Sequence, residues 1–300
     1  MQANGAVPPA VAGGAFVCYY PAQCKTTMNA HRWYSDSTKP MPKKKPRPLP
    51  QVVLPAMFML FFIGCAAKNQ INPALSNQMP QKILWAWERP EDLRFLGEKQ
   101  FGVAFLAQTL TLEDDDVVFT PRRQLLEINP GTYLVAVTRI ETNKSSHTAF
   151  SAQQRNKLVS LVKNTLNLPD VKAVQIDFDA VVSEREFYRR MMFELKKQLP
   201  QNVPLTMTSL ASWCTGDTWF NDFPVDEAVP MAFQMGADND KIKRYLANGN
   251  DWNEPLCRGS YGISIDEPLN VELRPERRFY YFKKEPWSRN DLALIDGAQP

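Results

Sequence analysis

The sequence predicts a (β/α)8 TIM-like barrel as a single domain over residues 82–300. Three observations carry that prediction. Eight short β-like runs recur between residues 83 and 283, with helical segments between several of them. Alternating strands and helices imply a parallel sheet with short connections. A segment of roughly 220 residues sits near the lower end of the usual size for such a barrel. The rival, a doubly wound open sheet, prefers a glycine-rich phosphate loop after its first strand. Here the first run continues as "WAWERPEDL", which has no glycine.

The runs follow in order. "ILWAW" (83–87) opens the barrel and leads into a polar segment. "GVAFLAQTL" (102–110) is followed by the acidic stretch "EDDD" (113–116) and "VVFTPR". The acidic stretch reads as a solvated hairpin tip rather than a calcium loop. "YLVAVTRI" (133–140) is next. "SAQQRNKLVSLVKNTLN" (151–167) places Leu158, Val159, Leu161, Val162 and Leu166 in a helical stripe. "VKAVQIDFD" is the fourth run. A second helix is expected to open with a capping box between Ser183 and Glu186, and Phe187, Met191, Leu195 and Leu199 form its apolar face. "PLTMTSLA" (204–211), "EAVPMAFQM" (227–235), "SYGISID" (260–266) and "RRFYYFK" (277–283) complete the eight.

Composition narrows the chemistry. The chain has 300 residues, an apolar fraction of 44% and a net charge of +3, enough to build a core. The positive charge is concentrated. Residues 1–65 hold seven lysines and arginines against one acid, and the rest carries 28 basic and 31 acidic residues. There is no clustered basic surface of the kind that nucleic acid requires. His31 and His147 are the only histidines. That excludes a multi-histidine zinc site and argues against a histidine-dependent triad. No metal or cofactor is expected.

The N-terminal region reads as an address. Residues 1–40 form a leader with neither a signal nor a domain pattern. Within 41–65 a basic stretch, "KKKPR", precedes an apolar run from Val52 to Gly64 and then Cys65. That is an export signal, and thirteen apolar residues fall short of the roughly 20 that span a membrane. "FIGC" resembles a bacterial lipobox, with Cys65 as the lipidated residue. Residues 66–81 would be a tether. The chain is then expected in the bacterial envelope, held to a membrane by a lipid anchor and facing the periplasm; an ordinary secretory signal is the alternative. Cys214 and Cys257 remain either a disulfide of an oxidising compartment or two thiols.

The fourth run holds the central feature. Side chains alternate along a strand. Val174, Ile176 and Phe178 share one face, suited to packing on helices. Gln175, Asp177 and Asp179 share the other and would point into the barrel mouth, where such folds keep their sites. If Asp177 crowds Asp179, one of the two carboxyls is raised and can hold a proton.

"LWAWERPEDLRFL", "GVAFLAQTL", "PGTYLVAVTRIE", "VQIDFDA", "LASWC" and "VDEAVPMAFQMG", in this order over residues 82–283, resemble the bacterial family called domain of unknown function 3142. The resemblance implies a glycoside-hydrolase-like barrel and a carbohydrate ligand, without a proven activity. The fourth run is also similar to the chitinase signature Asp-x-Asp-x-Glu. Asp177 and Asp179 match its aspartates, but Val181 stands where the proton donor belongs.

Glycoside hydrolysis generally uses a second carboxyl. Glu88, Glu141, Asp266 and Glu267 all lie at expected strand ends. The working assignment takes Asp179 as the acid, Asp177 as its tuning neighbour, and Glu88 or Asp266 opposite. Trp87 and Trp213 are candidates to stack on sugar rings, as are Trp85 and Trp219, although most tryptophans pack in cores. Gln108, Gln234 and Arg139 are candidates to bind hydroxyls. Three functional readings stand: a barrel that binds or hydrolyses a polysaccharide or oligosaccharide, a non-catalytic glycan-binding or envelope-assembly protein on the same fold, and a purely structural lipoprotein, which predicts an apolar or filled mouth.

Overall fold

The structure is a computed structural model that describes residues 78–97, 101–217 and 219–297. The leader, the signal segment with Cys65 and most of the tether lie outside the described residues. Eleven strands occur among the described residues: β1 Lys82–Ala86, β2 Glu91–Asp92, β3 Phe101–Glu113, β4 Asp116–Pro121, β5 Leu126–Glu127, β6 Tyr133–Thr142, β7 Val171–Asp177, β8 Leu205–Leu210, β9 Glu227–Met231, β10 Ser260–Ser264 and β11 Arg278–Phe282. Eight of them pair in parallel in the order β1-β3-β6-β7-β8-β9-β10-β11, and β11 returns to β1. The sheet is therefore a closed eight-stranded parallel barrel, and each expected run contributes one strand. Closure leaves the barrel strands without a free edge.

The other strands are additions. "VVFTPR" forms β4, antiparallel to β3, so the acidic stretch is indeed a hairpin tip. β2 and β5 form a separate two-stranded ribbon.

Helices α1 Ala152–Asn164, α2 Arg185–Gln198, α3 Ala211–Thr215, α4 Asn239–Ala247 and α5 Arg289–Gly297 occur among the described residues. α1 begins with a reciprocal capping box: Gln154 N–H donates to the Ser151 hydroxyl, and Ser151 N–H donates to the Gln154 side chain. The box expected at Ser183 and Glu186 does not form. A 3-10 turn, Val182–Glu184, precedes α2, and Glu184 folds back so that its carboxylate accepts the Val181 N–H at 2.8 Å. A glutamate two residues earlier than expected thus closes the helix entry.

Two apolar layers follow from strand alternation. Val174, Ile176 and Phe178 pack outward with Tyr188, Met191 and Leu195 of α2. Ile83, Trp85, Ala104, Leu106, Val135, Val137, Ala173, Val229, Tyr280 and Phe282 fill the barrel interior. The interior is a packed core rather than a pore. At the N-terminal ends of β9 and β11, Glu227 and Arg278 form a buried ion pair. Cys214 in α3 is disulfide-bonded to Cys257, 43 residues later.

Candidate active site

The site sits at the C-terminal ends of the barrel strands, where parallel strands leave their loops. Strand β7 ends at Asp177, so Asp177 closes the strand and Asp179 lies on the loop just beyond it. Alternation continues through both, as the sequence pattern requires. Two adjoining clefts share Arg139, Asp177 and Asp179. One, of about 480 Å³, runs between the ends of β6 and β7 and is also lined by Glu141, Lys144, Val181 and Glu184. The other, of about 290 Å³, opens over the barrel axis, with Trp87, Phe233, Gln234, Ser264, Phe282 and Lys284 among its walls.

Asp177 is 7% exposed. Burial pushes its carboxyl up to about 6; the Thr208 hydroxyl, donating to Oδ1 at 2.7 Å, pulls it back, and the negative Asp179 raises it further. Asp179 is exposed at the rim. The surrounding protein wall still raises its carboxyl, while the Arg139 guanidinium lowers it. Arg139 also pairs with Glu141 at 2.7 Å. Both carboxyls are raised above the ordinary aspartate range, so a proton on the pair outlasts that of a free aspartate.

An aromatic floor lies beneath. Trp85 packs against Trp87 and Phe282, with ring centres 5.3 and 4.7 Å apart, and Phe233 meets Phe282 at 4.7 Å. Gly262 makes room for this floor: a Cβ there would come within 3.3 Å of the Phe282 ring and 3.1 Å of the Pro230 carbonyl.

The expected residues divide clearly. Asp177, Asp179, Arg139, Trp87 and Gln234 come together in the mouth. Gln234 holds a left-handed backbone at φ 50°, and its N–H donates to Glu267. Glu88 and Asp266 do not line either cleft. Glu88 accepts the amides of Arg123 and Gln124 at 2.8 and 3.2 Å, and Asp266 accepts the Lys284 amide at 2.6 Å. Each is committed to holding a loop, because a carboxylate at a strand exit readily captures free backbone donors.

Gln108 faces away from the mouth. A register shift between Leu106 and Gln108 inserts Ala107 as a bulge, which turns Gln108 to the helix side. There it donates to Thr138 and to the Leu161 carbonyl of α1. Trp213 also faces away. β8 ends at Leu210, α3 starts at once, and Trp213 is buried against Trp219 and Phe220. Trp219 carries the Arg185 guanidinium over its ring.

Thr208, Phe282, Lys284 and Glu184 are among the residues of the mouth that the sequence does not single out. The inward alternation of "TMTSL" and "RFYYF" signals the first two. No sequence pattern marks the others.

No family model matches the chain, and no curated protein matches it. Among solved structures, a family GH18 chitinase from Chromobacterium violaceum is similar over 74% of this chain and 86% of its own, at 12% identity and a TM-score of 0.44. A chitinase from Rhizomucor miehei is similar over 61% of this chain and 68% of its own, at 12% identity and a TM-score of 0.42. The Bacillus cereus spore cortex-lytic enzyme is similar over 62% of this chain but only 52% of its own, at 14% identity and a TM-score of 0.38. Barrel closure here is established by the strand pairings themselves, not by these likenesses.

Proposed function

We propose that the barrel mouth binds a polysaccharide or oligosaccharide and hydrolyses it, with Asp179 as the proton donor and Asp177 beside it as the second member of the pair. The observation that carries this reading is the carboxyl pair at the end of β7, both members raised above the ordinary aspartate range, beside an aromatic floor of Trp87, Phe233 and Phe282. Sugar rings present apolar CH faces to such a floor, and Arg139, Gln234 and Ser264 offer hydrogen bonds to hydroxyls. The chitinase-type signature matched by Asp177 and Asp179 supports the same substrate class. In the same proposal Cys65 carries a lipid anchor, and residues 66–81 tether the barrel to the bacterial envelope on its periplasmic side. A disulfide between Cys214 and Cys257 accords with an oxidising compartment.

A second reading, glycan binding without turnover, is favoured by one observation. Val181 occupies the proton-donor position of that signature and is 58% exposed, and the carboxylates expected opposite, Glu88 and Asp266, serve loop amides. The test uses the wild-type chain beside an Asp177→Asn, Asp179→Asn variant on a panel of bacterial polysaccharides, following new reducing ends. Release by wild type alone is expected. Equal release by the double variant overturns the assignment of the site, and glycan binding without release by either supports the second reading.

A further inference from the structure

Hydrolysis by Asp179 leaves one role unfilled. In most glycoside hydrolases a second carboxylate near the first deprotonates a water or attacks the anomeric carbon. Two further carboxylates, Glu141 and Glu184, line the cleft that holds Asp177 and Asp179. Glu141 is engaged at 2.7 Å by the Arg139 guanidinium. Glu184 differs. It is 8% exposed, yet none of the salt bridges among the described residues involves it. Among the described residues its carboxylate has one hydrogen-bond partner, the Val181 N–H, which donates to Oε2.

The local fold explains how it gets there. Residues three apart eclipse one another in a 3-10 turn. The turn Val182–Glu184 therefore brings Glu184 back over Val181. Val181 itself offers only an exposed apolar side chain to the same cleft. Holding one amide needs no glutamate, since Ser, Asp or Asn at the start of a turn does so from closer range. Burying a carboxylate without a cation costs free energy. A carboxylate that lines a cleft with no cation paired to it among the described residues is a candidate for chemistry.

We propose that Glu184 is the second catalytic carboxylate of this site, supplied one 3-10 turn after Val181. The inference rests on the hydrolytic reading above. In the step, the Asp179 carboxyl gives its proton to the glycosidic oxygen as the bond to the anomeric carbon breaks, and the electron pair leaves with that oxygen. Water adds to the anomeric carbon, and Glu184 takes the proton that the water loses. One water is consumed and two chain ends result.

Glu184→Gln separates chemistry from support, because a glutamine oxygen still accepts the Val181 N–H. The full chain is assayed as wild type, Glu184→Gln, Glu184→Ala and Asp179→Asn, with reducing-end release and oligosaccharide binding measured on each. Glu184→Gln is expected to lower kcat by about 100-fold or more, with KM and binding held within a few fold. Formate added to Glu184→Ala is expected to restore part of the rate. Full activity in Glu184→Gln beside an inactive Asp179→Asn overturns the role of Glu184 and leaves the hydrolytic reading intact. Absence of release by the wild type overturns both.

Discussion

Thr208→Val isolates the electrostatics of the mouth. Valine keeps the shape of threonine and removes the hydroxyl that donates to Asp177 Oδ1 at 2.7 Å. A hydrogen bond to a charged group contributes about 1.5–3 kcal/mol. One pKa unit corresponds to about 1.4 kcal/mol. The Asp177 carboxyl, already pushed up to about 6 by burial, should therefore rise further by the difference between the charged and the neutral hydrogen bond, roughly 0.5–1.5 units. An unfolded aspartate titrates near about 3.9, so the folded protein favours the neutral carboxyl. The ionisation penalty is absent below about pH 4, grows as pH rises through about 6, and is complete above it. In the variant it keeps growing to higher pH. Relative to wild type, Thr208→Val should lose about 1.5–3 kcal/mol at pH 8, and about 1 kcal/mol at pH 4.5, where only a neutral hydrogen bond is lost. Urea denaturation followed by tryptophan fluorescence at the two pH values measures the difference. Equal destabilisation at both would refute the reasoning.

Three other outcomes follow from the same structure. Trp87→Ala removes part of the aromatic floor and should weaken oligosaccharide binding roughly 3–10-fold, read by titration calorimetry. Gln108→Met should destabilise the barrel by about 1–2 kcal/mol, because Thr138 and the Leu161 carbonyl lose their donor; glycan binding should be unchanged, and a loss of binding would place Gln108 in the site after all. Replacing Cys214 and Cys257 together by serine opens a loop of 43 residues and should cost up to about 4 kcal/mol, seen as a lower Tm under non-reducing conditions.

What could be read from the sequence was what depends on periodicity. The eight strands follow from hydrophobic alternation and spacing, and the inward aim of Asp177 follows from its parity with Gln175 along β7. What escaped depends on breaks in periodicity. The bulge at Ala107 inverts the faces of β3 beyond it and carries Gln108 from the interior side to the helix side. The end of β8 at Leu210 sends Trp213 into the outer aromatic cluster. Glu88 and Asp266 do stand at strand exits, but loop amides three dozen and eighteen residues away claim their carboxylates. Such pairings are set by tertiary geometry that no local pattern encodes. Glu184 escaped for a related reason: a 3-10 turn, not an α-helix, begins after Val181, and it brings a different glutamate to the cleft than the Ser183–Glu186 spacing implied.

The central claim is that the carboxyl pair at the end of β7 makes a glycan-cleaving centre with Asp179 as its acid. Its most direct test measures reducing-end release and glycan binding together, for the full wild-type chain and for Asp179→Asn, on the same polysaccharides. The account predicts that both proteins bind a glycan and that only the wild type releases new ends. Release by Asp179→Asn at the wild-type rate would contradict it.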